Sequence, residues 1–166
     1  NNNNITIGSV DDDWGCECIQ IYVSPSRTWI VPPLSETEIS SFLAARRQSN
    51  VKVVVAHVPF LVNLASSKRE ICEKSIRRLI TEIDRARSFE VPFVILHPGS
   101  SGLLPRKEGL KRLIEGLNIV SHHFADASTS ILLETMAVQG RMLGSTFEEL
   151  RIVLDSVDRA EFFGVC

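Results

Sequence analysis

Residues 93–99 read FVILHPG, an apolar run from Phe93 to Leu96 that stops at His97 and is turned at once by Pro98 and Gly99. The run is short, rich in β-branched residues and free of polar alternation, which marks a strand buried on both faces of a parallel sheet. The pattern recurs on either side. Upstream, Val51 to Ala56 runs into His57, and downstream Ile131 to Leu133 runs into Glu134. Each time, a ligand-type side chain stands where a strand stops and a loop opens. Parallel α/β barrels build their chemistry from the carboxyl ends of successive strands, so residues far apart in sequence converge there. A lone loop histidine also serves as a hydrogen-bonded structural residue; repetition at equivalent places is what favours a shared ion. Two imidazoles and a carboxylate suit zinc, with a coordination position left open.

The intervals between these strands carry helical periodicity. Ser35 and Glu38 form a capping-box signature, and Ile39, Phe42 and Leu43 give the helix that follows an inward face. Ile71, Ser75, Ile76, Leu79, Ile80 and Ile83 recur at three- and four-residue steps in a long helix that ends near Phe89. Leu110, Leu113, Ile114, Leu117 and Val120 do the same from about Pro105, and a further helix spans about Phe147 to Leu154 with Ser145 and Glu148 as its capping pair. Towards the amino end, ITIGSV (5–10) and CECIQIYVS (16–24) read as strands joined by the turn DDDWG, and FFGVC (162–166) reads as a last strand. Strands alternating with helices imply parallel pairing through right-handed crossovers. The expected class is therefore α/β, a partial (β/α) TIM barrel of five to six parallel strands with crossover helices. Asn1 to Asn4 form a low-complexity tail, and 5–166 form one domain, shorter than the ~250 residues of a full eight-unit barrel.

The 166 residues carry a net charge of −2, which excludes a surface that is basic all over; a nucleic-acid partner needs a local patch. The basic pairs Arg46–Arg47, Lys68–Arg69, Arg77–Arg78 and Arg106–Lys107 read mostly as solvated helix surface. His122 and His123 fall late in a helix, where its carbonyl end accounts for them. No apolar run approaches the ~20 residues that span a bilayer, and the first segment lacks the features of a secretory signal. An intracellular protein, cytoplasmic or nuclear and without a membrane partner, is expected. Cys16, Cys18, Cys72 and Cys166 lack C-x-x-C spacing and are expected to be buried free thiols.

Several ordered segments go further: SPSRTW with VPPLS, HVPFLVNLAS, LHPGS, ILLETMAVQG, and FEELRIVLDSV ending in GVC. In this order and spacing, from about Ile19 to Cys166, the chain resembles the endonuclease IV family of apurinic/apyrimidinic (AP) endonucleases. The resemblance implies a (β/α)₈ barrel with up to three zinc ions at its carboxyl-end face and hydrolysis of the DNA backbone 5′ to an abasic site. His57, His97 and Glu134 then resemble zinc ligands, with Glu134 a catalytic residue that bridges two ions. Arg27, Phe60 and Leu61 correspond to residues that enter the minor groove and hold the abasic nucleotide out of the stack. Read without the resemblance, Phe60 and Leu61 are core residues of a loop that folds back.

Departures from the family pattern limit what is expected of this chain. The Asp-x-x-His pair that follows GVC in the family, and all later ligands, lie outside it, and ITIGSVDDDWG carries no histidine. At most one complete metal site can be assembled. Ser101 replaces a frequent histidine, Val138 a glycine, and Phe60 a tyrosine. The leading expectation is a zinc-dependent DNA-repair nuclease in truncated form acting on abasic duplex DNA, with little incision by this chain alone. A non-catalytic DNA-binding or regulatory fragment and a sugar isomerase or epimerase are the alternatives. Unpaired strand edges are expected to promote self-association.

Overall fold

The computed structural model describes residues 15–166. The Asn tail, the ITIGSV strand and nearly all of the DDDWG turn lie outside the described residues. Five strands follow: β1 (Cys18–Ile21), β2 (Val53–His57), β3 (Phe93–Leu96), β4 (Ser130–Leu133) and β5 (Phe163–Val165). Between them run α1 (Glu36–Gln48), α2 (Arg69–Ser88), α3 (Arg106–His123) and α4 (Phe147–Ser156), with a short 3₁₀ turn before β5. The sheet order is β1-β2-β3-β4-β5 and every pairing is parallel. Each crossover thus advances one strand in the same direction. Doubly wound sheets reverse that direction, whereas barrels do not, so the strands form a segment of TIM-barrel wall.

Register fixes which side chains share a face, because paired residues in parallel strands point the same way and successive ones alternate. Ile19, Val54, Val94 and Ile131 share one face, as do Ile21, Ala56, Leu96 and Leu133. That face meets the helices. Val54, Ala56, Val94, Leu96, Ile131 and Leu133 join Leu79 and Ile83 of α2, Leu113 and Leu117 of α3 and Val153 of α4 in one buried core. The opposite face carries Gln20, Val55, His57, Ile95 and Leu132, and it is less covered: Val53 is exposed, and Val55, Phe93 and Leu132 are half-buried. It corresponds to the interior of a barrel.

Local sequence explains the ends of several elements. Ser35 accepts a hydrogen bond from the Glu38 N–H while Glu38 accepts one from the Ser35 N–H, the reciprocal cap expected of that pair. α2 stops as Glu90 turns into a left-handed conformation (φ 54°) and the Val91 N–H reaches back to the Ala86 carbonyl. Phe89 then packs on Phe42 of α1, ring centroids 4.7 Å apart.

Other details differ from the sequence reading. β1 is shorter than 16–24, since Pro25 and the turns after it leave the sheet. β2 starts at Val53 and includes His57, because the ladder with β3 continues to His57 opposite Ile95. The cap of α4 is Thr146, which accepts from the Glu149 N–H; the Ser145 hydroxyl is engaged by Arg106 instead. The cysteines are free but not buried: Cys16 and Cys72 are intermediate, Cys18 and Cys166 exposed. Cys18 lies on the less covered sheet face and Cys166 follows an edge strand, which explains their exposure.

Candidate metal centre

His57, His97 and Glu134 lie on the less covered sheet face at the carboxyl ends of three adjacent strands. His57 closes β2, His97 follows β3 and Glu134 follows β4, each two residues beyond a residue of that face. The ladder persists past the formal strand ends, with the Val58 N–H bonded to the Ile95 carbonyl and the Glu134 N–H to the Leu96 carbonyl. One potential ligand atom from each residue lies within 4.8 Å of the others. Glu134 Oε2 is 3.1 Å from His57 Nε2 and 2.9 Å from His97 Nε2. The two imidazoles meet edge to face, centroids 4.9 Å apart.

The donor set fits a divalent cation. His57 Nδ1 is 2.7 Å from the Val58 carbonyl oxygen. A carbonyl only accepts, so Nδ1 carries a proton, and in the neutral ring Nε2 presents a lone pair to the Glu134 carboxylate. A proton or a metal ion between Nε2 and the carboxylate would satisfy both. Burial holds His97 below the ordinary histidine value, opposed by Glu134 and reinforced by the neighbouring His57, which favours the neutral, ligating form of its ring.

The loops behind these ligands are locked together. The Asn63 side chain donates to the Ser100 carbonyl (3.0 Å) and accepts from the Ser100 N–H (3.1 Å), joining the loop after β2 to the HPGS turn. Gly99 has φ +90°, and a Cβ there would lie 2.3 Å from Asn63 Oδ1; only glycine allows that approach. The loop after β4 is pinned to the same turn through Leu143 N–H to the Gly99 carbonyl and Ser101 N–H to the Arg141 carbonyl. Val138, where the resemblance leads one to expect glycine, is 87% exposed.

Arg27 lies exposed in the loop 22–35 after β1, and Phe60 in the loop after β2 is 68% exposed. Both loops leave the sheet at the ligand end. Leu61 is half-buried and packs against the core, so the reading of a loop that folds back holds for Leu61 and fails for Phe60. Sequence reading missed Asn63, Arg78 and Arg85. Arg78 in particular is not solvated surface: its side chain is 2% exposed in an ion pair with Glu82 at 2.5 Å. The available signal was its position beside Leu79, with Glu82 and Arg85 following at helical steps.

A single-wound parallel α/β wall with a His-His-Glu cluster at its carboxyl end defines a TIM-barrel protein with a candidate metal site. The family model for xylose isomerase-like TIM barrels matches residues 12–166, and the chain belongs to that family, in its AP endonuclease branch. It is 30% identical over 152 residues to a "probable endonuclease 4" of Chloroflexus aggregans, covering 92% of this chain and 53% of that protein. The crystal structure of endonuclease IV from Thermus thermophilus matches with a TM-score of 0.73 at 26% identity, over 89% of this chain and 52% of that one. A D-tagatose 3-epimerase-like protein matches with a TM-score of 0.70 at 22% identity over 90% and 55%, a likeness of fold alone. The chain spans about half the length of the curated relatives it matches.

Proposed function

We propose that this chain carries one metal site and part of the DNA-reading surface of a zinc-dependent AP endonuclease, a DNA-repair enzyme that hydrolyses the phosphodiester 5′ to an abasic site in duplex DNA. The observation behind this reading is the convergence of His57, His97 and Glu134, with His57 held in the tautomer that frees Nε2. The chain's similarity to endonuclease IV sequences supports the choice of substrate.

On this reading the imidazoles of His57 and His97 and the Glu134 carboxylate would hold one zinc ion. A bound zinc supplies Lewis acidity towards a phosphate oxygen. The Val58 carbonyl fixes the His57 ring, and Asn63 fixes the turn that carries His97. Arg27 and Phe60, with Leu61 behind it, meet the minor groove and the gap left by the missing base; cationic and apolar side chains suit a kinked duplex with an extruded nucleotide. The described residues 15–166 act within one barrel domain, intracellular with its DNA substrate. Among the described residues, His57, His97 and Glu134 are the ligands proposed for that one site.

Zinc titration and DNA binding by the purified chain test the proposal. One zinc equivalent should bind, and duplex with a tetrahydrofuran abasic analogue should bind more tightly than intact duplex at fixed salt. Little or no incision is expected; robust zinc-dependent incision would show that the site needs no further ligands. Preference for abasic duplex without incision also fits the second reading, a non-catalytic DNA-binding module, for which the exposed Arg27 and Phe60 speak. Adding in trans a polypeptide that corresponds to the part of the relatives this sequence does not match separates the two, since only the nuclease part gains activity. Equal affinity for both duplexes removes either DNA role. A sugar epimerase would instead show activity on ketoses, and only fold likeness speaks for it.

A further inference from the structure

The loop 22–35 bears Arg27 yet has almost no backbone scaffold of its own. Pro25, Pro32 and Pro33 offer no N–H, and among the described residues 23–34 no backbone–backbone hydrogen bond is formed outside the regular elements. Its partners come from α2. Arg78 donates to the Thr28 carbonyl at 2.5 Å, the Pro25 carbonyl at 2.8 Å and the Ser24 hydroxyl at 2.6 Å. Arg85, two turns along the same helix face, donates to the carbonyls of Val23 and Pro32. The Ser24 hydroxyl in turn donates to Glu82 Oε1 at 2.5 Å, the oxygen that also accepts from Arg78 Nε.

This network is built where apolar residues would be easier to bury. The Arg78 and Glu82 side chains are 2% and 1% exposed, and Glu82 Oε2 has no hydrogen-bond partner among the described residues. Well-packed apolar residues of similar volume often equal or exceed a buried ion pair in stability. What the charged residues add is direction, because a planar guanidinium fixes several acceptors at once. Loss of either arginine frees carbonyls on both sides of Arg27.

We infer that Arg78 and Arg85, with Glu82 holding Arg78, are positioning residues that template the loop 22–35 and so present Arg27 to DNA. The inference rests on the DNA contact proposed for Arg27. It makes loop order, and through it abasic-site affinity, separable from metal binding, since none of the three touches His57, His97 or Glu134.

Arg85→Met and Arg85→Lys are the test variants, the second keeping charge and stem while losing the fork. The full chain is digested briefly with trypsin, and cleavage of the Arg27–Thr28 bond is followed by mass spectrometry. Affinities for zinc and for duplex with a tetrahydrofuran site are measured alongside. Both variants should show about tenfold faster cleavage after Arg27 and about tenfold weaker DNA binding, with zinc affinity and circular dichroism unchanged. A merely structural arginine would lower melting temperature and leave DNA affinity intact well below it. Unchanged cleavage overturns the template, and faster cleavage with wild-type DNA affinity overturns the positioning role. Arg27→Ala identifies the other failure: if it too binds DNA like wild type, the contact assigned to Arg27 is wrong, and the cleavage readout still reports on the template.

Discussion

His57 donates its Nδ1–H to the Val58 carbonyl oxygen across 2.7 Å, a bond between neighbours in sequence that decides what the ring presents on its other side. Nε2 is left facing Glu134 at 3.1 Å, and the pair becomes favourable once a cation lies between them. His57→Ala, His97→Ala and Glu134→Gln should each lower zinc affinity by more than the roughly 10–100-fold typical of losing an outer partner of a metal ligand. Calorimetric zinc titration checks this, and wild-type affinity in all three variants would contradict it.

The HPGS turn is held from behind. Gly99→Ala places a Cβ against the Asn63 amide in a left-handed backbone conformation, so it should destabilise the fold by about 1–3 kcal/mol and weaken zinc binding as well. Urea unfolding midpoints and zinc titration report the two effects. A stability loss with wild-type zinc affinity would show that the turn does not position His97.

Phe60 offers the opposite test. At 68% exposure, Phe60→Ala should change stability by less than about 0.5 kcal/mol, yet reduce affinity for abasic duplex. Fluorescence anisotropy at fixed salt, beside a thermal melt, measures both.

Acid stability should carry the signature of Glu149. The hydrogen-bonded Arg106 guanidinium holds this carboxyl below its ordinary value of 4.5, with help from the Gly144 N–H. A lowered folded-state value means the unfolded chain binds the proton more readily. The contribution is therefore full above about pH 4.5 and lost as pH falls through the lowered value. Glu149→Gln should be less stable than wild type at pH 7, and the difference should shrink below the ordinary carboxylate range. A constant difference across pH would remove the ion pair from the account.

β1 and β5 present unpaired edges among the described residues, and the barrel-interior face is only partly covered. The isolated chain should self-associate in a concentration-dependent way. Sedimentation velocity tests this, and a stable, monodisperse monomer would contradict it.

Much of this fold is legible in the sequence because its determinants are local. FVIL before HPG, and the Ser35–Glu38 cap, each carry their own geometry in a few residues. The cap of α4 falls one residue past its sequence signature because a distant residue, Arg106, takes the Ser145 hydroxyl. The convergence of His57, His97 and Glu134 could be read because strand ends announce themselves, whereas the support behind it could not. Arg78 looks like surface until the loop 22–35 folds over it, and Asn63 looks like any loop asparagine until Ser100 arrives from 37 residues away.

Anomalous X-ray scattering at the zinc edge, on crystals of the chain grown with zinc, tests the central claim most directly. The account predicts a peak about 2.0–2.2 Å from His57 Nε2, His97 Nε2 and a Glu134 carboxylate oxygen. Zinc found only elsewhere, for instance on the exposed thiols of Cys18 or Cys166, with the three side chains still paired to one another, would contradict it.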